Sequence, residues 1–509
     1  MNNNDVEIQT KQKELHIAPM LDVSTPEFHH LVRILTKRAI LWTEMVVDET
    51  IVFTDNLDRH LAIASPSLHP IICQIGGKSS EYCAEATRVV RQYGYKEVNL
   101  NVDCPSSRVS GKRLFGAILM SDEHQSTCFD VISAMKESSE CNLEQDENSP
   151  TRTVNNSSNN SVNSIPISVK TRVGIETIDG KCYDDMEYIS DFIQNLRKRG
   201  CKRFVIHARK CVIGGLSPAE NRLVPPLNYP RFYSLCHHFP DCEFVLNGGI
   251  PGLEAARHLC YGYDNDTANY CNYNHNEGSQ RCQQHIVPCK ICNAYNGSCT
   301  APPNTNNDVP PNLTGCMIGR ACMENPIMFW DTDRYFYGME TNPCQNRREV
   351  LEQYCQYLER TYPRRCCDLD ERMTMDIPAP QITQFTHGGC HICCDIYGDE
   401  SSSGSNRNTK NDMGKEQKHK EMPKVKIGSR VIDRSLKPIL GIFFGRPKSK
   451  LFRRECDRLS RDKYVRNCGP GYIVRKALRA MPDELVDEQF IKTEDLHDVP
   501  THFSPKPKP

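Results

Sequence analysis

No apolar run in this 509-residue chain approaches the ~20 residues that a membrane-crossing helix needs. A helical membrane span is therefore excluded. The first fifteen residues, Met1 to Leu15, are Asn-rich and polar and lack the apolar core of a secretory signal. A cytoplasmic protein is the expectation. Net charge is nearly absent too, at −1, but the total conceals a division. Residues 421–480 carry 17 Lys plus Arg against 5 Asp plus Glu, a balance of +12, which leaves −13 for the remainder. A basic segment on an acidic body suggests a polyanionic partner. Cysteine is abundant at 27, and in a reducing compartment most of these residues are free thiols.

Short apolar or β-branched runs recur between residues 16 and 320, each closing on a polar or Gly-containing turn. Their ends fall near Pro19, Thr43, Gln74, Asn101, Lys170, His207, Asn247 and Ile318. Five of the seven gaps, 24 to 40 residues long, suit a crossover helix between parallel strands. The other two, 69 and 71 residues, contain low-complexity inserts at 138–164 (Asn/Ser-rich) and 264–314 (Asn/Cys-rich). Eight such units predict a (β/α)8 TIM barrel, whose reactive groups gather at the C-terminal strand ends.

Those ends carry Glu44, Gln74, Asn101, Cys104, Lys170, Arg172, His207, Arg209, Asn247 and Arg320. Pro105 stops the strand that begins at Glu97, so the backbone turns at Cys104 and presents its thiol from a loop. Buried packing is the more common fate of a lone cysteine; seven similar strand ends lift this one above it. Asn247-Gly248-Gly249 and Ile318-Gly319-Arg320 close the last two strands, where barrels bind a cofactor phosphate through backbone N–H groups. Flavin mononucleotide (FMN) is the natural candidate.

The motifs resemble the tRNA-dihydrouridine synthases, specifically the DusA-like branch. They run from His16-Ile17-Ala18-Pro19-Met20 through Asn99-Leu100-Asn101-Val102-Asp103-Cys104-Pro105-Ser106, Val169-Lys170-Thr171-Arg172 and Ile206-His207-Ala208-Arg209 to Asn247-Gly248-Gly249 and Gly319-Arg320. Gly215-Leu216-Ser217-Pro218 with Pro225-Pro226-Leu227 points to the branch. The resemblance implies FMN-dependent reduction of the uracil C5–C6 bond at the position-20 uridines (U20, U20a) of the tRNA D loop, with NADPH as reductant. It implies that Cys104 protonates C5, that Asn101, Lys170, Arg172 and Arg209 hold uracil or tRNA, and that Pro19, Met20, Gln74, Lys170, His207, Asn247, Gly248, Gly249, Gly319 and Arg320 line the FMN site. A thiol of ordinary pKa near ~8.5 is mostly protonated at neutral pH, as an acid must be. One departure stands out: Asp103 occupies a position where the family has glycine, which predicts backbone strain there and undiminished turnover in Asp103→Gly.

Beyond the barrel (16–340, after a polar tail, 1–15), residues 341–395 open a helical domain. A linker follows at 396–422, then a basic helical tRNA-binding domain at 423–485 and a tail at 486–509. Pro438 to Gly445 reads as a core helix, followed by a basic helix that presents Lys450, Arg453 and Arg454 to tRNA. The spacing of Cys282, His285, Cys289 and Cys292 makes a weak zinc candidate, as does the His/Cys cluster from His387 to Cys394. Two alternatives stay open: an FMN reductase of free pyrimidines, and a catalytically silent RNA-binding barrel.

Overall fold

The computed structural model describes residues 12–61, 66–140, 164–262, 309–362, 428–462, 465–466 and 468–492. The zinc candidates of both clusters lie outside these residues, as do most of both inserts.

Eight parallel strands form the core: β1 Glu14–Ile17, β2 Leu41–Trp42, β3 Ile71–Gly76, β4 Glu97–Asn101, β5 Ile167–Arg172, β6 Arg203–His207, β7 Glu243–Asn247 and β8 Leu313–Ile318. Each pairs with its neighbour in sequence, and β8 returns to β1. The ring closes between β1 and β2 by a parallel bridge, His16 to Ile40, with Ile17 N–H donating to Ile40 C=O at 2.9 Å. This is the expected TIM barrel. Gly315 permits the β8–β1 seam, since a Cβ there would lie 2.2 Å from the Glu14 carbonyl oxygen.

The crossover helices start where side chains satisfy their free N–H groups. Thr25 caps α1 (Pro26–Leu35), Ser79 caps α2 (Ser80–Gln92), Asp185 caps α4 (Met186–Lys198) and Asn228 caps α5 (Tyr229–His238). Helix α3 (Gln125–Glu140) follows β4, and α6 (Leu253–Tyr261) follows β7. Helix α3 runs to Glu140 and β8 begins at Leu313, so the inserts are shorter at these edges than the sequence boundaries 138 and 314.

Inside the barrel an apolar layer of Ala18, Ile40, Trp42, Ile72, Val205, Val245 and Met317 is buried. At the N-terminal floor, Arg203 is ion-paired to Glu14, Glu97 (2.9 Å) and Glu243 (2.6 Å).

The chain divides into two compact units. One comprises Met1–Val350, Pro438–Gly445 and Asp487–Pro509; the other comprises Leu351–Lys437 and Arg446–Val486. The helical unit thus begins later than residue 341, and Pro438–Gly445 belongs with the barrel. That segment is not the expected core helix either. It is a 3-10 turn, Lys437–Ile439, followed by turns, with Ile439, Ile442 and Phe443 buried. Gly441 explains the close fit, because a Cβ there would lie 2.3 Å from the Glu324 carbonyl oxygen. Helix α7 (Arg347–Thr361) leads into the second unit, where α8 (Ser429–Leu436), α9 (Ser449–Arg461) and α10 (Pro470–Leu478) pack together; Tyr354 of α7 donates to Ser435 C=O at 2.8 Å, and Arg475 pairs with Glu359.

Candidate active site

Cys104 follows β4 by three residues, and its turn is tied at both ends. Its N–H donates to Asn101 Oδ1 at 3.0 Å, while its carbonyl accepts from Ser110 Oγ at 2.7 Å and from Ala117 N–H at 3.1 Å. The side chain is half-buried. Burial pushes the thiol pKa up, and the neighbouring Asp103 adds to the rise. The thiol is therefore held protonated, as the acid role requires.

Asp103 does not have the left-handed backbone expected of a glycine position. Among described non-Gly residues, positive φ occurs only at Asp22, Leu114 and Lys448. The strain expectation is thus overturned. Its carboxylate is instead a hub: Lys170 Nζ donates to one oxygen, Arg172 Nε donates to the other at 2.6 Å, and His207 Nδ1 lies 3.6 Å away. Burial alone would raise the Asp103 carboxyl pKa; Lys170 and Arg172, with His207, outweigh it and hold it well below the usual carboxylate range. Burial, aided by Arg172, lowers His207 to about 3, so that ring is neutral at working pH.

Further positive charge lies within electrostatic reach of Arg172. Arg209 is lowered by burial and by Arg172 and Arg320; Arg222 is lowered by burial and by Arg320 and Arg172. The Nε donors of Arg209 and Arg222 are buried and lack a hydrogen-bond partner among the described residues. Cations that depress one another beside orphaned donors fit an anion. The Gly248-Gly249 turn shapes the adjacent backbone, with φ of +110° and +70°. A Cβ at Gly248 would sit 2.5 Å from His207 Cδ2, and one at Gly249 would sit 2.4 Å from Leu227 Cδ1. These residues fit a phosphate-bearing cofactor. Arg222 was not singled out as a site residue from the sequence; it lies on no strand end, and only the folded 209–227 loop brings it near Arg320.

The other expected residues divide. Pro19 and Met20 are half-buried beyond β1, with Met20 against the apolar layer, and Gly319 and Arg320 follow β8. Asn247 Nδ2 donates to Met317 C=O at 3.0 Å and so fastens β7 to β8. Gln74 and Asn101 are buried and hydrogen-bonded to each other at 2.8 Å. Lys450, Arg453 and Arg454 are exposed on α9 in the second unit.

The family model "Dihydrouridine synthase (Dus)" matches residues 16–146 and 148–265. The tRNA-dihydrouridine(20/20a) synthase of Vibrio parahaemolyticus is 31% identical over 352 residues, covering 69% of this chain and 81% of the relative. That of Synechocystis is 31% identical over 345 residues (68% and 78%), and that of Yersinia pestis is 38% identical over 245 residues (48% and 61%). Matching along most of the relatives' length, and with the thiol, the cationic mouth and the Gly-Gly turn at the strand ends, the chain belongs to the tRNA-dihydrouridine synthase family.

Proposed function

We propose that this protein reduces the C5–C6 double bond of uridine in the tRNA D loop, at U20 and U20a, using bound FMN and NADPH in the cytoplasm. The observation that carries this reading is the Cys104 thiol, kept protonated and held from both sides of its turn at the barrel mouth. The chemistry a flavin supplies when bound here is hydride transfer to C6, with NADPH restoring the reduced form. Cys104 gives its proton to C5, and the thiolate left behind takes one from solvent. Arg209, Arg222 and Arg320 would hold the cofactor phosphate beside Gly248 and Gly249. Lys170 and Arg172, whose charge is shared with Asp103, would hold the reacting base. Asn101 orients the acid's turn through its side-chain oxygen. The target base must leave its stack to enter the barrel mouth. The exposed cations of α9 supply phosphate contacts.

Incubating the protein with FMN, NADPH and unmodified tRNA, and mapping dihydrouridine by position, tests the reading. Product at a D-loop uridine is expected, with the rate in Cys104→Ala down by roughly 10²-fold or more. No product from flavin-loaded, tRNA-binding protein would replace this reading with the silent barrel; product from free uracil would replace it with the small-molecule reductase.

A further inference from the structure

A continuous chain of hydrogen bonds runs through the barrel interior from its charged floor to the acid's turn. Cys104 N–H donates to Asn101 Oδ1 (3.0 Å), Asn101 Nδ2 to Gln74 Oε1 (2.8 Å), Gln74 Nε2 to Asn99 Oδ1 (2.9 Å) and Asn99 Nδ2 to Ser168 Oγ (2.7 Å). Ser168 Oγ donates in turn to one Glu97 oxygen, and Arg203 Nε lies 2.9 Å from the other. The strand register makes this possible by setting Gln74 beside Asn99 and Asn99 beside Ser168. Asn101, Gln74, Asn99, Ser168 and Glu97 are all buried.

Every bond in this chain points the same way. An amide side chain can present either its oxygen or its NH2 group to a neighbour, so three amides in series have no intrinsic polarity. Burial raises the Glu97 carboxyl pKa, while Arg203 and the Ser168 hydrogen bond lower it; as the carboxylate facing Arg203 it can only accept, so Ser168 donates to it and is left to accept from Asn99, and the Asp103 and Cys104 N–H groups set the same polarity from the upper end. Each amide above then follows, and Asn101 is obliged to offer its oxygen upward, where it also accepts from Asp103 N–H at 3.2 Å. The reverse arrangement would set an NH2 group against two N–H groups and leave buried donors unpaired.

We infer that Glu97, at the floor of the barrel, is a positioning residue for Cys104, acting through Ser168, Asn99, Gln74 and Asn101 to fix the turn that presents the thiol. This rests on the acid role proposed for Cys104, but its decisive readout does not need catalysis.

The test compares Glu97→Gln and Ser168→Ala with Glu243→Gln in the full-length protein. Glu243 pairs with the same Arg203 but has no place in the relay, so its variant controls for loss of a floor ion pair. Alkylation of Cys104 by iodoacetamide, resolved by peptide mass spectrometry across pH, reads the thiol directly. A turn released from its cap lets water reach a thiol that burial now keeps protonated. At neutral pH the alkylation rate should rise at least about fivefold in Glu97→Gln and Ser168→Ala, and remain near wild type in Glu243→Gln. Dihydrouridine formation at saturating tRNA should fall about tenfold in the same two variants. Alkylation of Cys104 that is unmoved in both, or moved equally in the control, overturns the inference. Absence of dihydrouridine from the wild type would instead count against the proposed function and leave the alkylation result standing.

Discussion

At the scale of the residue, Asp103 decides the electrostatics of the site. Lys170 and Arg172 are almost wholly buried, and one carboxylate pairs with both. Removing one member of a buried ion-paired group leaves the others uncompensated, at about 3–5 kcal/mol. Asp103→Asn, which keeps the shape and loses the charge, should lower the melting temperature of the flavin-free protein clearly; bound FMN, an anion at the same mouth, should narrow the gap. Thermal melts with and without FMN check this, and an equal or wider gap with FMN counts against the shared-charge account. The sign with pH follows from the depressed carboxyl: the clamp stabilises the fold above the unfolded carboxyl pKa near ~4 and loses that contribution as pH falls through the lower native value. Asp103→Gly therefore weakens the site where relief of strain was expected. The sequence made residue 103 conspicuous and its thiol neighbour legible. The clamp was hidden because it depends on Asn101 standing beside Lys170 across two strands, a register that a long insert obscures.

At the scale of the element, the eight strand ends were legible because each parallel strand is buried on both faces and stops at a turn residue. Position along the turn was less so. The loop after β4 shows why: its closure depends on Gly116, at φ +72°, where a Cβ would lie 2.9 Å from the Cys104 carbonyl oxygen and 3.3 Å from its Cβ. Gly116→Ala should push the acid's turn off its position and slow dihydrouridine formation about tenfold or more. Gly180 has a similar φ, +81°, but nothing within 4 Å of a would-be Cβ, so Gly180→Ala carries the backbone penalty of about 1 kcal/mol without the displacement. Equal loss of rate in the two variants would assign the effect to backbone strain alone. The misread helix at Pro438–Gly445 has a related cause. An apolar run looks the same whether it packs as a helix or as turns, and the close approach of Gly441 to the Glu324 carbonyl is invisible until the chain is folded.

At the scale of the whole molecule, the proposed function divides between the two units the labour that the charge distribution suggested. The barrel unit holds the reacting groups; the second unit carries α9, whose Phe452, Cys456 and Leu459 are buried while Lys450, Arg453 and Arg454 are exposed. Only the cations of this helix stood out in the sequence; its buried residues fall at i, i+4 and i+7, which sets those cations on the other face. Not every cation on α9 is equally available: Arg458 pairs with Glu455 at 2.8 Å and Arg461 with Asp457 at 2.8 Å. Lys450, Arg453 and Arg454, the exposed cations singled out in the sequence, are the side chains to replace together by Gln. Each phosphate contact to a folded RNA contributes roughly 0.7–0.9 to the slope of log affinity against log salt, so loss of three should flatten that slope by about 2–3. Binding of tRNA should weaken most at low salt, where counterion release is most favourable, and converge on wild type as salt rises. Dihydrouridine formation at saturating tRNA should stay close to wild type, because the acid and the cationic mouth lie in the other unit. Titration of tRNA at several salt concentrations checks both statements. An unchanged slope would show that α9 is a solvated face, and the +12 segment would then need a different anionic partner.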